Sequence, residues 1–268
     1  MSLEWRIAGI YDNKSGEWNK LVYAHSNSEK KTCVNGHEAK LRLRRAGEPE
    51  TNDDGFDIVT PDLEFAEGEF LSINTGETML RVGTDKTVSV ICPGFVGVSA
   101  PVEILRPVRA GVLTVSDKAS RGERIDSSGP SLAEMTRAIG CVVEKLGIVP
   151  DDKVSISDKL KDWADNVGLD IILVTGGTGL SMRDVTPEAL MDIHDKVIPG
   201  FGEIMRTHAM RYTQRGFLSR SLAITRGATL IVAMPGSERG ARQSFEAISP
   251  ALRHGIGTLC GWDSECGH

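Results

Sequence analysis

The sequence lacks the features that mark membrane, secreted and nucleic-acid-binding proteins. No uninterrupted apolar stretch approaches the roughly 18 residues of a transmembrane helix, and no charged segment followed by an apolar core opens the chain, as in a secretory signal. The 5 cysteines are irregularly spaced and give no disulfide framework. The net charge of -6 excludes the basic surplus typical of nucleic-acid binders. These absences predict a cytoplasmic protein with reduced thiols and neither a membrane nor a nucleic-acid partner.

The composition is that of a globular protein. Of the 268 residues, 40% are hydrophobic and 25% charged, enough for one large domain or two small ones. Residues 1–107 hold 17 acidic and 12 basic residues, so most of the net charge lies there. Short apolar stretches alternate in this part with Gly, Asn and Asp turns, which predicts a small all-β barrel-like domain. The predicted strands are Trp5–Ile10, Lys20–Tyr23, Ala39–Leu43, Met79–Val82, Thr87–Cys92 and Val102–Leu105.

From Arg109 onward the pattern becomes an alternation of strands and helices. This alternation predicts an α/β domain, a mostly parallel sheet flanked by helices, over residues 108–268. We place the boundary between the two domains at Arg106-Pro107. Strands are predicted over 110–115, 142–149, 171–174 and 229–233. Helices are predicted over 130–139, 153–166, from 186, after the break at Pro199–Gly202 to about 212, and over 238–248 and 250–259.

The most informative stretch is the strand Ile171–Val174 and the loop after it. The strand is short, apolar and rich in β-branched residues, as expected of a buried parallel strand. The loop consists of three glycines and two threonines: Thr175, Gly176, Gly177, Thr178 and Gly179. Glycine allows a sharp turn and close approach of a ligand, and the loop can direct several N–H donors at an anion. The spacing fits neither the Walker motif nor Gly-x-Gly-x-x-Gly.

A helix start follows this loop. Thr186 is a suitable N-cap, Pro187 suits the first helical position, and Glu188 suits the first turn. Arg183 and Asp184 therefore lie between a glycine loop and a helix N-terminus. A carboxylate there can contact a metal, and a guanidinium can contact a phosphate.

Four predicted strands end in polar or glycine-rich turns. In a parallel sheet the carboxyl ends of the strands meet at one edge, where ligands of open α/β sheets usually bind. We therefore expect these turns to form one binding site: Ser116-Asp117, Pro150-Asp151-Asp152, Thr175–Gly179 and Pro235-Gly236-Ser237.

Together these motifs resemble the molybdopterin adenylyltransferase family of molybdenum cofactor synthesis. The resemblance covers residues from about 108 to 260, and the motifs occur in the family's order and spacing. They are Leu113–Lys118, Thr175–Gly179, Arg183–Ala189, Pro199–Glu203, Ser219-Arg220 and Met234–Ser237. Met234 stands where leucine is usual, which is a tolerable exchange.

The resemblance implies a nucleotidyl transfer. The phosphate of molybdopterin attacks the α-phosphate of ATP, molybdopterin-AMP forms, and pyrophosphate leaves, with Mg²⁺ as the metal. The functional aspartates of the family correspond to Asp151 and Asp184, and Mg²⁺ is typically held by one or two carboxylates plus substrate phosphates. The glycine loop corresponds to the family's site for the pterin-side phosphate.

The remaining predicted substrate contacts follow from residue type and from the resemblance. Hydroxyl groups can donate hydrogen bonds, Arg183 or Arg220 can offset charge on the transferring group, and Asp117 can accept hydrogen bonds from the pterin. The predicted substrate-binding residues are Ser116, Asp117, Thr175, Gly176, Gly177, Thr178, Gly179, Arg183, Glu203, Ser219, Arg220, Pro235, Gly236 and Ser237. Glu203 also fits as a simple first-turn helix charge.

The resemblance also suggests how the chain is assembled and used. It implies a homotrimer and transfer of the product to a molybdate-insertion protein. The N-terminal β domain is similar to the MOSC domain in the stretch from Gly68 to Gly83, although a clear Gly-x-Gly-Asp stretch is missing. The tail from Cys260 to His268 matches no standard zinc spacing, so we expect no metal site there.

Two other functions stay open at this stage. The chain can be a non-catalytic molybdopterin-binding or carrier protein of the same pathway, which would bind the pterin but not ATP. It can also be another nucleotide-binding α/β enzyme, which would bind nucleotide without affinity for the pterin. The sequence does not distinguish molybdenum from tungsten as the metal of the pathway.

Overall fold

The computed structural model describes residues 4–7, 9–19, 21–49, 53–61, 63–74, 76–97 and 101–262. The described residues form two compact units. The first contains the residues up to 107 together with 138–140, and the second contains 108–137 and the residues from 141 onward. Among the described helices, none is long and apolar enough to cross a membrane.

The first unit is built from short strands. Its described strands are β1 (Glu4–Arg6), β2 (Gly9–Asp12), β3 (Glu17–Asn19), β4 (Leu21–Ser26), β5 (Thr32–Val34), β6 (His37–Glu38), β7 (Lys40–Arg45), β8 (Gly55–Thr60), β9 (Phe70–Ile73), β10 (Thr78–Val82), β11 (Val88–Cys92), β12 (Gly94–Gly97) and β13 (Pro101–Leu105). A 3₁₀ turn covers Thr84–Lys86.

These strands form three small sheets around one apolar core. Their strand orders are β1-β13-β9-β10-β11, β12-β4-β5-β6 and β3-β2-β8-β7. The pairs are antiparallel except β7 with β8. Buried side chains such as Ile10, Ile58 and Leu80 fill the core. The all-β prediction is confirmed, but the predicted strand Trp5–Ile10 is divided between β1 and β2.

The second unit alternates strands and helices, as predicted. Its strands are β14 (Val108–Val115), β15 (Cys141–Val149), β16 (Ile171–Thr175), β17 (Lys196–Ile198), β18 (Leu222–Arg226) and β19 (Thr229–Met234). Its helices are α1 (Asp117–Ser120), α2 (Ser128–Ala138), α3 (Lys153–Lys161), α4 (Thr186–Met191), α5 (Pro199–Ala209) and α6 (Glu238–Leu259). A π-helical turn covers Asp162–Asn166, and a 3₁₀ helix covers Gln214–Leu218.

One six-stranded sheet organises this unit, in the order β15-β14-β16-β19-β18-β17. The first four strands are parallel, and β18 and β17 add an antiparallel edge that the sequence patterns do not predict. Alternate side chains of the central strands, such as Leu113 and Ile172, pack with α3 and α4 residues. Their neighbours Val112 and Leu173 are buried as well. Burial on both faces explains why these strands read as continuous apolar runs.

Two helix predictions were wrong in detail. Residues 238–259 form one helix rather than two, although Pro250 lies inside it. Proline has no N–H to donate to the carbonyl four residues earlier, and here the Ser249 hydroxyl donates to the Glu246 carbonyl, 3.3 Å away. Thr186 is not a side-chain N-cap, because its hydroxyl donates instead to the Gly176 carbonyl at 2.8 Å.

Candidate active site

The carboxyl ends of the four parallel strands meet at one edge of the sheet, as the sequence predicts. The register aligns Val115 with Val149, and Thr175 with both Thr114 and Met234. The loops that follow these strands enclose a pocket of about 280 Å³. Its described lining residues are Thr114, Val115, Ser116, Ala119, Arg124, Ile125, Asp126, Ser127, Ser128, Asp151, Gly176, Gly177, Asp184, Gly236 and Ser237.

The glycine loop has a conformation that side chains would obstruct. Gly176 has a φ of +116° and Gly177 a φ of +62°. A Cβ on Gly176 would lie 2.1 Å from the Val115 carbonyl oxygen, and one on Gly177 would lie 2.3 Å from the Thr186 hydroxyl oxygen. Only glycine allows the loop to pack this closely on β14 and α4, and Gly176 and Gly177, although buried, line the pocket.

Hydrogen bonds tie the glycine loop to the loop after β19. The Gly176 amide donates to the Met234 carbonyl at 3.1 Å, and the buried Thr175 hydroxyl donates to the Pro235 carbonyl at 2.8 Å. Gly236 approaches so closely that its Cβ position lies 3.0 Å from the Gly176 Cα. Thr175 and Pro235 therefore hold the loops together, while Gly236 and Ser237 line the pocket. Ser237 is also the N-cap of α6 and accepts from the Gly240 amide at 3.2 Å.

Asp117 and Arg183 form an ion pair beside the pocket. Arg183 donates to Asp117 Oδ2 from Nε at 3.1 Å and from Nη2 at 2.5 Å. The Asp117 side chain is 25% exposed and the Arg183 side chain 66% exposed. The guanidinium lowers the pKa of Asp117, which stays ionised.

Asp151 is a carboxylate of the site whose pKa is raised. Burial raises its pKa first, and the negative charges of Asp117 and Asp184 raise it further. The Asp117 amide and the Arg183 charge oppose this effect. Asp151 Oδ2 accepts from the Asp117 amide at 2.8 Å. Asp151 Oδ1 would lie 3.4 Å from a Cβ placed on Gly177. A cation at this point would relieve the repulsion between carboxylates.

Asp184 lies against the end of the glycine loop. Its Oδ2 accepts from the Ser181 amide at 2.9 Å and lies 2.8 Å from the Cβ position of Gly179. No cluster of three or more His, Cys, Asp or Glu side chains suited to a metal ion occurs in the described part of the chain. A metal at Asp151 and Asp184 would therefore take its other ligands from substrate and water, as is typical of Mg²⁺.

Arg220 clasps the segment between the glycine loop and α4. Its Nε donates to the Gly179 carbonyl at 2.8 Å, its Nη2 donates to the Asp184 carbonyl, and its Nη1 pairs with Glu188. Its amide donates to the carbonyl of Thr178, a buried residue, at 2.9 Å. This geometry positions the loop and occupies the guanidinium.

The other predicted site residues differ in whether they line the pocket. Ser116 lines the pocket and caps α1 by accepting from the Ala119 amide at 3.2 Å. The Ser219 hydroxyl is paired with that of Ser221 at 2.8 Å, outside the pocket lining. Glu203 is exposed in the first half of α5 and does not line the pocket.

Sequence reasoning missed the pocket wall formed by residues 124–128. Asp126 accepts from the Thr114 hydroxyl at 2.7 Å and from the amides of Ser128 and Gly129 at 3.1 and 3.0 Å. Asp126 therefore caps α2, which begins at Ser128. The signal that was available is an acidic residue two positions before Ser128-Gly129-Pro130, which suits a helix N-terminus.

The fold and the site define a class of protein. A glycine loop and two carboxylates at the carboxyl edge of a parallel sheet characterise α/β proteins that bind phosphate-bearing ligands at that edge. The particular family follows from comparison. The family described as a probable molybdopterin binding domain matches residues 111–254, more than half of the 268 residues. The chain belongs to this family, which confirms the resemblance found in its motifs.

Known proteins similar to this chain agree with the family. Molybdopterin adenylyltransferase from Helicobacter pylori J99 is 34% identical over 159 residues, covering 59% of this chain and 90% of that protein. Molybdopterin adenylyltransferase from Escherichia coli K12 is 33% identical over 158 residues, covering 57% and 81%. The crystal structure of the molybdopterin biosynthesis enzyme MoaB from Thermus thermophilus is 45% identical, with a TM-score of 0.55, and covers 57% of this chain and 97% of that one.

Proposed function

We propose that this protein transfers AMP from ATP to the phosphate of molybdopterin, giving molybdopterin-AMP and pyrophosphate. The observation that carries the proposal is the placement of Asp151 and Asp184 in one pocket beside the glycine loop. The relatives named molybdopterin adenylyltransferase, about a third identical over most of their length, support the same reaction.

The residues of the pocket suit each part of this reaction. Nucleotidyl transfer depends on charge neutralisation and in-line positioning more than on a strong base. Gly176 and Gly177 line the pocket, and their lack of side chains lets a phosphate approach the backbone of the loop. Asp151 and Asp184 would hold Mg²⁺, which would neutralise charge on the phosphates. Burial is the main cause of the raised pKa of Asp151, and the repulsion from Asp117 and Asp184, which raises it further, supports a cation at this place.

The test is an adenylylation assay with a matched pair of variants. Protein, molybdopterin, ATP and Mg²⁺ are mixed, and molybdopterin-AMP and pyrophosphate are quantified. Asp184→Asn should lower kcat by about 100-fold or more, since a charge that faces the reacting phosphates is lost. Asp192→Asn, which alters an exposed carboxylate paired with Lys153 outside the pocket, should keep the parent rate. If the Asp184→Asn variant is folded and reacts at the rate of the parent, Asp184 has no part in the mechanism. Molybdopterin retained without product would favour the carrier function.

We further infer a homotrimeric, cytoplasmic enzyme whose product passes to a molybdate-insertion protein. Exposed apolar side chains on α5 and in the turns after it, such as Ile204, Met210 and Phe217, support self-association. Light scattering at several concentrations would measure the mass, and a monomer throughout would refute the trimer. We propose that residues 1–107 are an accessory domain; its similarity to MOSC domains stays a prediction.

A further inference from the structure

The charges that line the pocket are unbalanced. Asp126, Asp151 and Asp184 contribute three carboxylates, and Arg124 supplies the only positive charge among the described lining residues. The substrates of the proposed reaction are themselves polyanions. One Mg²⁺ at Asp151 and Asp184 would not balance three carboxylates and the phosphates together, so the site needs a further cationic group directed at the phosphates.

The two arginines predicted for this task are already engaged. Arg183 is paired with Asp117, and Arg220 is held by Glu188 and by the carbonyls of Gly179 and Asp184. Releasing either guanidinium would leave its present acceptors unpaired. Arg124 differs, since no acceptor for its guanidinium occurs within the described ranges, and the residue is exposed.

The backbone on both sides of Arg124 is fixed. On one side the Glu123 amide donates to the Lys118 carbonyl at 2.8 Å. On the other side the Asp126 carboxylate is held by the Thr114 hydroxyl of β14 and by the first amides of α2. Gly129 is needed for this arrangement, because its Cβ position lies 2.4 Å from Asp126 Oδ2. The loop therefore presents Arg124 from a constant position, which reduces the entropy lost when a ligand binds.

We propose that Arg124 is a substrate-binding residue that donates hydrogen bonds to a phosphate group in this pocket. This inference rests on the proposed function and adds to it the cation that meets the phosphate. A planar guanidinium matches the oxygens of a phosphate with two parallel N–H donors. The phosphate belongs to ATP or to molybdopterin, and kinetics with each substrate varied in turn distinguishes the two sources.

The experiment compares Arg124→Gln and Arg124→Lys with the parent. Arg121→Gln is the matched control, because Arg121 lies in the same loop but is paired with Glu123 and does not line the pocket. Loss of a charge-assisted hydrogen bond should raise KM for one substrate by about 10-fold or more in Arg124→Gln. Arg124→Lys should recover part of the loss, and Arg121→Gln should behave as the parent. An unchanged KM for both substrates in Arg124→Gln would overturn the proposal.

A binding measurement separates this proposal from the adenylylation reaction. Calorimetric titration with inorganic pyrophosphate and with ATP is carried out at two salt concentrations. The parent should bind with a steeper salt dependence than Arg124→Gln, because one ionic contact is missing in the variant. If the parent binds these phosphates but makes no molybdopterin-AMP, the proposed function is refuted. The difference in binding between the parent and Arg124→Gln then still tests the role of Arg124. Equal affinity and equal salt dependence in both proteins would refute a contact between Arg124 and the phosphates of ATP, and an unchanged KM for molybdopterin as well would refute the role of Arg124.

Discussion

Asp117 and Asp151 each accept a hydrogen bond from the other's backbone amide. The Asp117 amide donates to Asp151 Oδ2 at 2.8 Å, and the Asp151 amide donates to Asp117 Oδ1 at 3.1 Å. This reciprocal pair joins the loops that follow β14 and β15. It leaves Asp117 Oδ2 for Arg183 and turns Asp151 Oδ1 toward Gly177. The position of Asp151 in the pocket thus depends on a neighbouring strand.

The first prediction concerns Asp151 and its neighbour Asp152. Asp151→Asn should lower kcat by about 100-fold or more, because the amide cannot supply the negative charge that binds Mg²⁺. Asp152→Asn is the control, since Asp152 caps α3 by accepting from the Ser155 amide at 2.8 Å and asparagine caps equally well. Single-turnover adenylylation measures both variants. A large loss in Asp152→Asn would mean that α3, rather than the carboxylate of Asp151, controls the rate.

The second prediction concerns pH. If ionised Asp151 is required, activity is present above its pKa and lost as the pH falls through it, and burial places this loss above the usual range of an aspartate. The Arg183 charge lowers the pKa of Asp151, so Arg183→Gln should raise it and move the acidic limb of kcat/KM to higher pH. The exposed Arg211 provides the control Arg211→Gln. A limb that stays in place or moves to lower pH in Arg183→Gln would contradict the assignment of the limb to Asp151.

The third prediction compares two glycines with positive φ. Gly227 has a φ of +53° and open space around its Cβ position, so Gly227→Ala should cost only the strain of the left-handed region, about 1–2 kcal/mol. Gly177→Ala adds a contact at 2.3 Å with the Thr186 hydroxyl and should cost roughly 1–3 kcal/mol more. Urea unfolding of both variants measures the difference. Equal free energies of unfolding for Gly177→Ala and Gly227→Ala would show that the glycine loop accommodates the added methyl group at no extra cost.

The fourth prediction concerns the Arg220 clasp. A lysine cannot reach the two carbonyls and Glu188 together, so Arg220→Lys should loosen residues 176–184 and lower kcat/KM by about 10-fold to 100-fold. Hydrogen exchange of this segment should accelerate in parallel. Glu188→Gln is the milder comparison, because it removes the ion pair and leaves the carbonyl contacts. Exchange at the parent rate in Arg220→Lys would show that the clasp does not restrain the loop.

Local patterns were sufficient for much of the second unit. The β-branched run Ile171–Val174 predicted a buried strand, and the structure has β16 over Ile171–Thr175. The edge formed by β17 and β18 was missed. The side chains of Lys196 and Val197 in β17 are exposed, whereas β18 is buried at its centre but has only five residues. Exposed strands carry a weaker alternation of apolar and polar residues than buried ones.

The sequence by itself determined the elements whose causes are local. The glycines after β16 allow a turn with positive φ that other residues rarely adopt. The alternation of strands and helices predicts a parallel sheet, which brings four strand ends to one edge. The tertiary structure alone decided which side chains remain available there. Thr186 bonds to Gly176 instead of capping α4, and Arg220 bonds to Gly179, 41 residues away. Such partners are chosen by packing between distant segments, which leaves no local signal in the sequence. Among the described residues that line the pocket, Arg124 is the only cation.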